Sequence, residues 1–179
     1  MSADSAVPRE QDAVDDALRR IQASGCHPRM AELARHWQSL RPPGPARTSL
    51  LPGRPHLDPA AIPRLMPSIF FADVERDPRL RFRIRLIGTR LARLFARDPT
   101  RRYADEIMPG IDESPLGTAL RAVVDGGLPD HGGGPVTLIP GKEHLKIERL
   151  LLPLADDGSS VDMVLGMVIL SYDNGRELT

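Results

Sequence analysis

At 179 residues, with 24 basic and 24 acidic side chains, the chain is long enough for one full hydrophobic core and has no net charge to draw it toward nucleic acid or an anionic membrane. Its single cysteine, Cys26, excludes an intrachain disulfide and a cysteine-built zinc site. The longest apolar run, near Met163 to Leu170, is far too short for a membrane span, and the start MSADSAVPREQDAVDD lacks the basic-then-apolar pattern of a signal, so the reading is a cytoplasmic protein.

Residues 1–9 are small, polar and unpatterned and predict a disordered start. From Glu10 to Ala23, Val14, Leu18 and Ile21 share one side of a helix whose early acidic and late basic residues suit its dipole. Ser24-Gly25 ends that helix, and Cys26 falls in the connector after it. Pro28 opens a second helix at a first-turn position, where its missing N–H is no loss, and Met30, Leu33, Ala34, Trp37 and Leu40 form its stripe. Trp37, the only tryptophan, reads as the anchor of this helix on a sheet, a role favoured over ligand contact because large aromatics usually supply buried area. Arg41 to Pro55, rich in Pro, Gly and Arg, reads as a surface connector. Asp58-Pro59 then pairs an N-cap with a first-turn proline, and Pro63 limits that helix to about one turn.

Ile69 to Val74 is the first predicted strand, and Asp77-Pro78 turns it into the stretch that organises the chain, RFRIRLIGTRLARLFARD from Arg81 to Asp98. Phe82, Ile84 and Leu86 alternate there with Arg81, Arg83 and Arg85, the period of a strand with one apolar and one polar face. At Gly88-Thr89 the period changes. Leu91, Leu94 and Phe95 recur at helical spacing, with Thr89 expected as the N-cap. Short irregular pieces carry Tyr103, Ile107 and Met108. Ser114-Pro115 caps a longer helix with Leu116, Ala119, Leu120 and Val123 on one face, which Gly126-Gly127 stops. The run Gly132-Gly133-Gly134 reads as a flexible loop leading into a brief strand from Val136 to Ile139. Lys146 to Leu154 and Val161 to Tyr172 follow as longer strands joined by the polar hairpin loop Asp156-Asp157-Gly158-Ser159. The last strand is apolar on both faces, which predicts a mid-sheet position with the N-terminal helices as its second cover.

Strand, strand, small helices, one longer helix and three strands is the element order of a PAS domain. The wording is similar to that of a bacterial PAS family of small proteins. The resembling pieces are His36-Trp37 with Leu40-Arg41, LPGRPHLDP from Leu51, MPSIFFADVE from Met66, RFRIRLIGT from Arg81, FARDPTRRYADE from Phe95 and ERLLLPLADDG from Glu148. One departure concerns Ala96 and Arg101, where the family usually has glycine; if those positions require positive φ, each replacement costs about 1 kcal/mol. The resemblance implies an α+β fold, a PAS-like five-stranded antiparallel sheet with helices on one face and an N-terminal helical extension. The connector from Arg41 to Pro55 divides the chain into an extension and linker, 1–45, and a PAS-like sensor domain, 46–179. Signalling PAS modules hold a small molecule or cofactor between sheet and helices, and make dimer contacts through the outer sheet face or N-terminal helices.

Enzyme motifs fail when tested. A phosphate-binding loop ending at Gly141-Lys142 would need glycine at Val136 and Ser or Thr at Glu143; the Gly132 run does not extend to a dinucleotide fingerprint, since Thr137 holds the last position; and no GxSxG elbow occurs. The cofactor stays unassigned. Haem is disfavoured because the long helix contains no histidine, His131 only following it, and flavin photochemistry because Cys26 lies far upstream of the hairpin. The arginines of the second strand read first as a solvated, edge-protecting face, with a carboxylate or anionic ligand on Arg85 as the sharper alternative. Nucleic-acid binding lacks aromatic interleaving around the basic residues.

The expected ligand-binding residues are Tyr103 at the cavity mouth, Arg85, and an apolar lining of Phe82, Ile84, Leu86, Leu94, Val123, Leu138 and Leu150. The function expected is that of a stand-alone PAS-type sensory module, not an enzyme, binding an unidentified small molecule or signalling proteins, with no effector segment of its own and a homodimer as its expected assembly. A ligand-free interaction or dimerisation module is the alternative, and a small α+β enzyme a more distant one.

Overall fold

The structure is a computed structural model that describes residues 10–42 and 50–178. The expected disordered start and the middle of the expected connector, 43–49, lie outside the described residues. Five strands form one antiparallel sheet: β1 (Ile69–Glu75), β2 (Arg81–Ile87), β3 (Asp130–Pro135), β4 (Leu145–Leu154) and β5 (Met163–Tyr172), in the order β2-β1-β5-β4-β3. The all-apolar strand β5 is therefore central, between β1 and β4, as a strand buried on both faces must be. The α+β architecture expected from the PAS resemblance is the one observed.

Alternation along paired strands defines the two faces. In register across the sheet, Leu150, Met167 and Ile69 share one face, and Arg149, Val168 and Gly132 the other. The first face lies under the N-terminal helices α1 (Glu10–Ala23) and α2 (Pro28–Ser39). The polar contacts show this: Glu148, in step with Leu150, accepts the His27 backbone N–H at 2.8 Å and meets His131 Nε2 at 2.9 Å, while His131 Nδ1 lies 3.3 Å from Ser24 Oγ. Leu18, Met30, Leu33 and Trp37 are buried in one cluster with Leu150, Leu152 and Leu165. Trp37 is fully buried and its Nε1–H donates to the Pro153 carbonyl at 2.9 Å, which makes it the expected anchor.

The second face is covered by α3 (Thr89–Ala92), α4 (Ala104–Ile107) and α5 (Pro115–Gly126). Ser114 caps α5 as expected, its Oγ accepting from Gly117 N at 3.1 Å, and Asp58 caps a 3-10 turn over Pro59–Ala61.

Two local expectations need correction. Gly88, not Thr89, is the N-cap of α3, because that residue presses on the turn before β1: a Cβ there would stand 2.2 Å from the Met66 carbonyl oxygen. The third strand is Asp130–Pro135 and contains the glycine run, whereas Val136 to Ile139 leave the sheet after it. Glycine scores poorly for strand on propensity, but β3 is an edge strand on which Gly132 faces the Arg149 side chain and Gly133 the Ile147 carbonyl, and neither place has room for a Cβ.

Candidate functional site

The second face of the sheet does not close on its helices. Between them lies a cavity of about 340 Å³, within the size range of small-molecule sites. Phe70, Ala72, Phe82, Ile84, Ile147 and Val168 supply the sheet wall, and Leu91, Leu94, Ala104, Ile107, Leu116 and Leu120 the helical wall. Gly166 gives Phe70 its place. A Cβ on Gly166 would stand 2.1 Å from the Phe70 ring, so the ring lies flat across β5 only because that position is bare.

Among the described lining residues, Arg149 alone is charged. Its exposure is 9 %, and its Nη2 donates to Asp130 Oδ2 at 3.1 Å, whereas the buried Nε has no hydrogen-bond partner. Gly132 stands opposite Arg149 in the β3–β4 register, and a Cβ there would come within 2.4 Å of Nη1. Gly132 thus leaves room for a guanidinium in the wall of an apolar chamber.

Of the residues expected to line such a cavity, Phe82, Ile84, Leu94 and Leu138 lie in its wall. Leu86 does not. Phe71 pairs with Leu86 but Ala72 with Ile84, so Arg85 is the extra residue of a β-bulge, the alternation inverts after it, and Ile87 takes the inward place. Leu150 belongs to the opposite face, in step with Met167 under the N-terminal helices. Val123 is buried in the packing of α5 and stays outside the wall.

Tyr103 and Arg85 also lie elsewhere, on the outer side of the β1–β2 hairpin. Tyr103 bridges to Arg83 and covers the outer edge of β2, with Arg101 N–H donating to the Ile84 carbonyl at 2.6 Å. Its hydroxyl donates to Glu75 Oε2 at 2.6 Å and accepts from Arg83, while the Arg81 guanidinium sits 3.5 Å over its ring. Arg81 binds Asp105 through two hydrogen bonds of 3.0 and 2.7 Å and holds that carboxyl below the usual carboxylate range. Arg83 pairs with Glu75 at 2.8 Å and Arg85 with Asp73 at 3.2 Å. The arginine face is thus neutralised residue by residue. Arg85 pairs with Asp73 while its side chain stays 56 % exposed on an edge strand, which fits the solvated, edge-protecting reading as well as a carboxylate partner.

Arg149 escaped the sequence reading because Lys146 to Leu154 is apolar at both parities, so periodicity did not show which parity faces the helices. The signal was Gly132, whose missing side chain leaves space for one from the neighbouring strand. His131, which follows α5, faces the N-terminal helices and not the cavity. The described lining includes no histidine or cysteine, and Met108 is its one sulfur-bearing residue.

Among the described residues no group of three or more His, Cys, Asp or Glu could hold a metal ion, and no helix is long and apolar enough to cross a membrane. No curated protein matches the chain. A family model described as PAS domain matches residues 26–169, from the connector before α2 into β5.

Proposed function

The chain belongs to the PAS-domain family, and from that premise we propose that it is a sensory module which binds a small, mainly apolar molecule between the sheet and α3 to α5. The observation that carries this reading is the cavity, because those walls could have closed into solid core and do not. Its lining offers no carboxylate or histidine among the described residues to act as acid or base, which favours binding over catalysis. In this reading residues 46–179 form the sensing unit, and 1–45 the helical extension whose first described helices cover the other face. The protein works in the cytoplasm of a bacterium, and occupancy of the cavity is passed to a signalling partner or a second copy.

A homodimer through the N-terminal helices would have to use their polar outer surface, since Val14, Ala17, Leu18 and Ile21 are all buried within the chain. That weakens the pure dimerisation reading relative to sensing.

Native mass spectrometry of the purified protein, with a cavity-filling Ile84→Trp variant beside it, tests the proposal. A retained small molecule in the parent protein that is lost in the folded variant supports it. An empty parent that takes up no apolar probe, with the variant indistinguishable from it, overturns it.

A further inference from the structure

We propose that the cavity takes a straight-chain carboxylate of about ten carbons, with its head on Arg149; the inference rests on the ligand-binding reading above and names the ligand's chemical class. A guanidinium has five N–H donors in a fixed fork. Arg149 directs one to Asp130, a carboxylate whose side chain is 35 % exposed, and its Nε is buried without a partner in the wall of an apolar chamber. A buried donor left unpaired is costly, and a carboxylate entering the chamber removes that cost through short, charge-assisted hydrogen bonds. Asp130 leaves room for this, since it makes a single contact at Nη2.

The rest of the chamber sets the body of the ligand. Nothing else charged lines it among the described residues, and Thr137 and Gly133, both exposed, lie in the wall supplied by β3 and the segment after it. The head therefore sits on the side of the sheet where solvent reaches the wall. Three strand spacings of about 4.8 Å separate Arg149 on β4 from Ile84 on β2, roughly 14 Å, which is the reach of a chain of about ten carbons. A compact dicarboxylate would strand its second charge among Phe82, Ile84 and Leu120. A cationic amphiphile would meet Arg149 with like charge.

The test is calorimetric titration of the full chain with decanoate, decan-1-ol and decyltrimethylammonium. For the parent protein the expected order is decanoate on the order of tenfold tighter than the alcohol, with the cation weakest. Arg149→Gln, checked for folding by circular dichroism, should bring decanoate down to the alcohol's affinity and leave the alcohol unchanged. Asp130→Asn, which removes the competing carboxylate and serves if the glutamine variant does not fold, should tighten decanoate at least threefold.

Equal affinities for acid and alcohol in the parent, an undiminished preference for decanoate in Arg149→Gln, or no tightening in Asp130→Asn would each overturn the carboxylate assignment while leaving a ligand-binding cavity. If none of the three probes binds, the cavity reading itself falls, and the carboxylate assignment with it.

Discussion

Arg101 has a backbone φ of 67° and is the one non-glycine residue with positive φ among those described. Its N–H donates to Ile84 in β2, so the surrounding loop fixes the conformation against the residue's own preference. Arg101→Gly is therefore expected to raise stability by about 1 kcal/mol in urea unfolding, while the same change at Ala96, which is not in that region, should lower or leave it. Of Ala96 and Arg101, the two positions where the resemblance implies glycine, only Arg101 has a positive φ. At the hairpin between β4 and β5, Asp157 accepts the N–H groups of Ser159 and Ser160 at 2.8 and 2.7 Å, and these bring its carboxyl down to about 2. Because the folded value lies below the unfolded one, its contribution is full above about pH 4 and is lost as pH falls toward 2. An NMR titration should find its midpoint near 2, and Asp157→Asn should flatten the stability profile in that window alone. This turn was legible because Asp-Asp-Gly-Ser carries its chemistry locally. The bulge at Arg85 was not, since an extra residue in one strand shows only against its partner, and it cost the reading Leu86 in exchange for Ile87.

Helix boundaries were the most legible elements. The predicted spans for α1 and for the start of α2 agree with the structure because an amphipathic stripe, a connector glycine and a first-turn proline all point to the same residues. Less visible was how firmly these helices belong to the sheet. Trp37 is buried against β4 with its indole N–H satisfied, so Trp37→Ala is expected to cost about 3–5 kcal/mol in chemical unfolding and Trp37→Phe distinctly less. Removing residues 1–45 would uncover Leu150, Leu152 and Leu165, and the product should lose its cooperative thermal transition; a sharp transition in the truncated chain would show that the extension is dispensable. Strand β3 was misplaced by four to six residues for the opposite reason. Gly132 is required by the Arg149 side chain and Gly133 by the Ile147 carbonyl, tertiary demands that override strand propensity.

For the molecule as a whole, one sheet carries two different faces: Leu150 and its neighbours close against α1 and α2, whereas Phe82, Ile84 and Val168 stop short of the helices opposite and leave a chamber. Volume is not written in periodicity, which is why four of the seven apolar residues expected in the wall lie there while neither the size of the cavity nor its single charge was legible. Gly166→Ala probes that arrangement without touching the helices. The added methyl displaces the Phe70 ring from β5 into the chamber, so the variant should fold and lose at least tenfold in affinity for decan-1-ol, with little change in its melting temperature. The most direct measurement of the account is a methyl NMR titration of the full chain with decan-1-ol, a probe that carries no charge and so reports on the chamber itself. The account predicts saturable shifts at Ile84, Leu120 and Val168, with Leu33 and Leu165 on the other face silent. Shifts at Leu33 and Leu165, or none at any of the five, would contradict it.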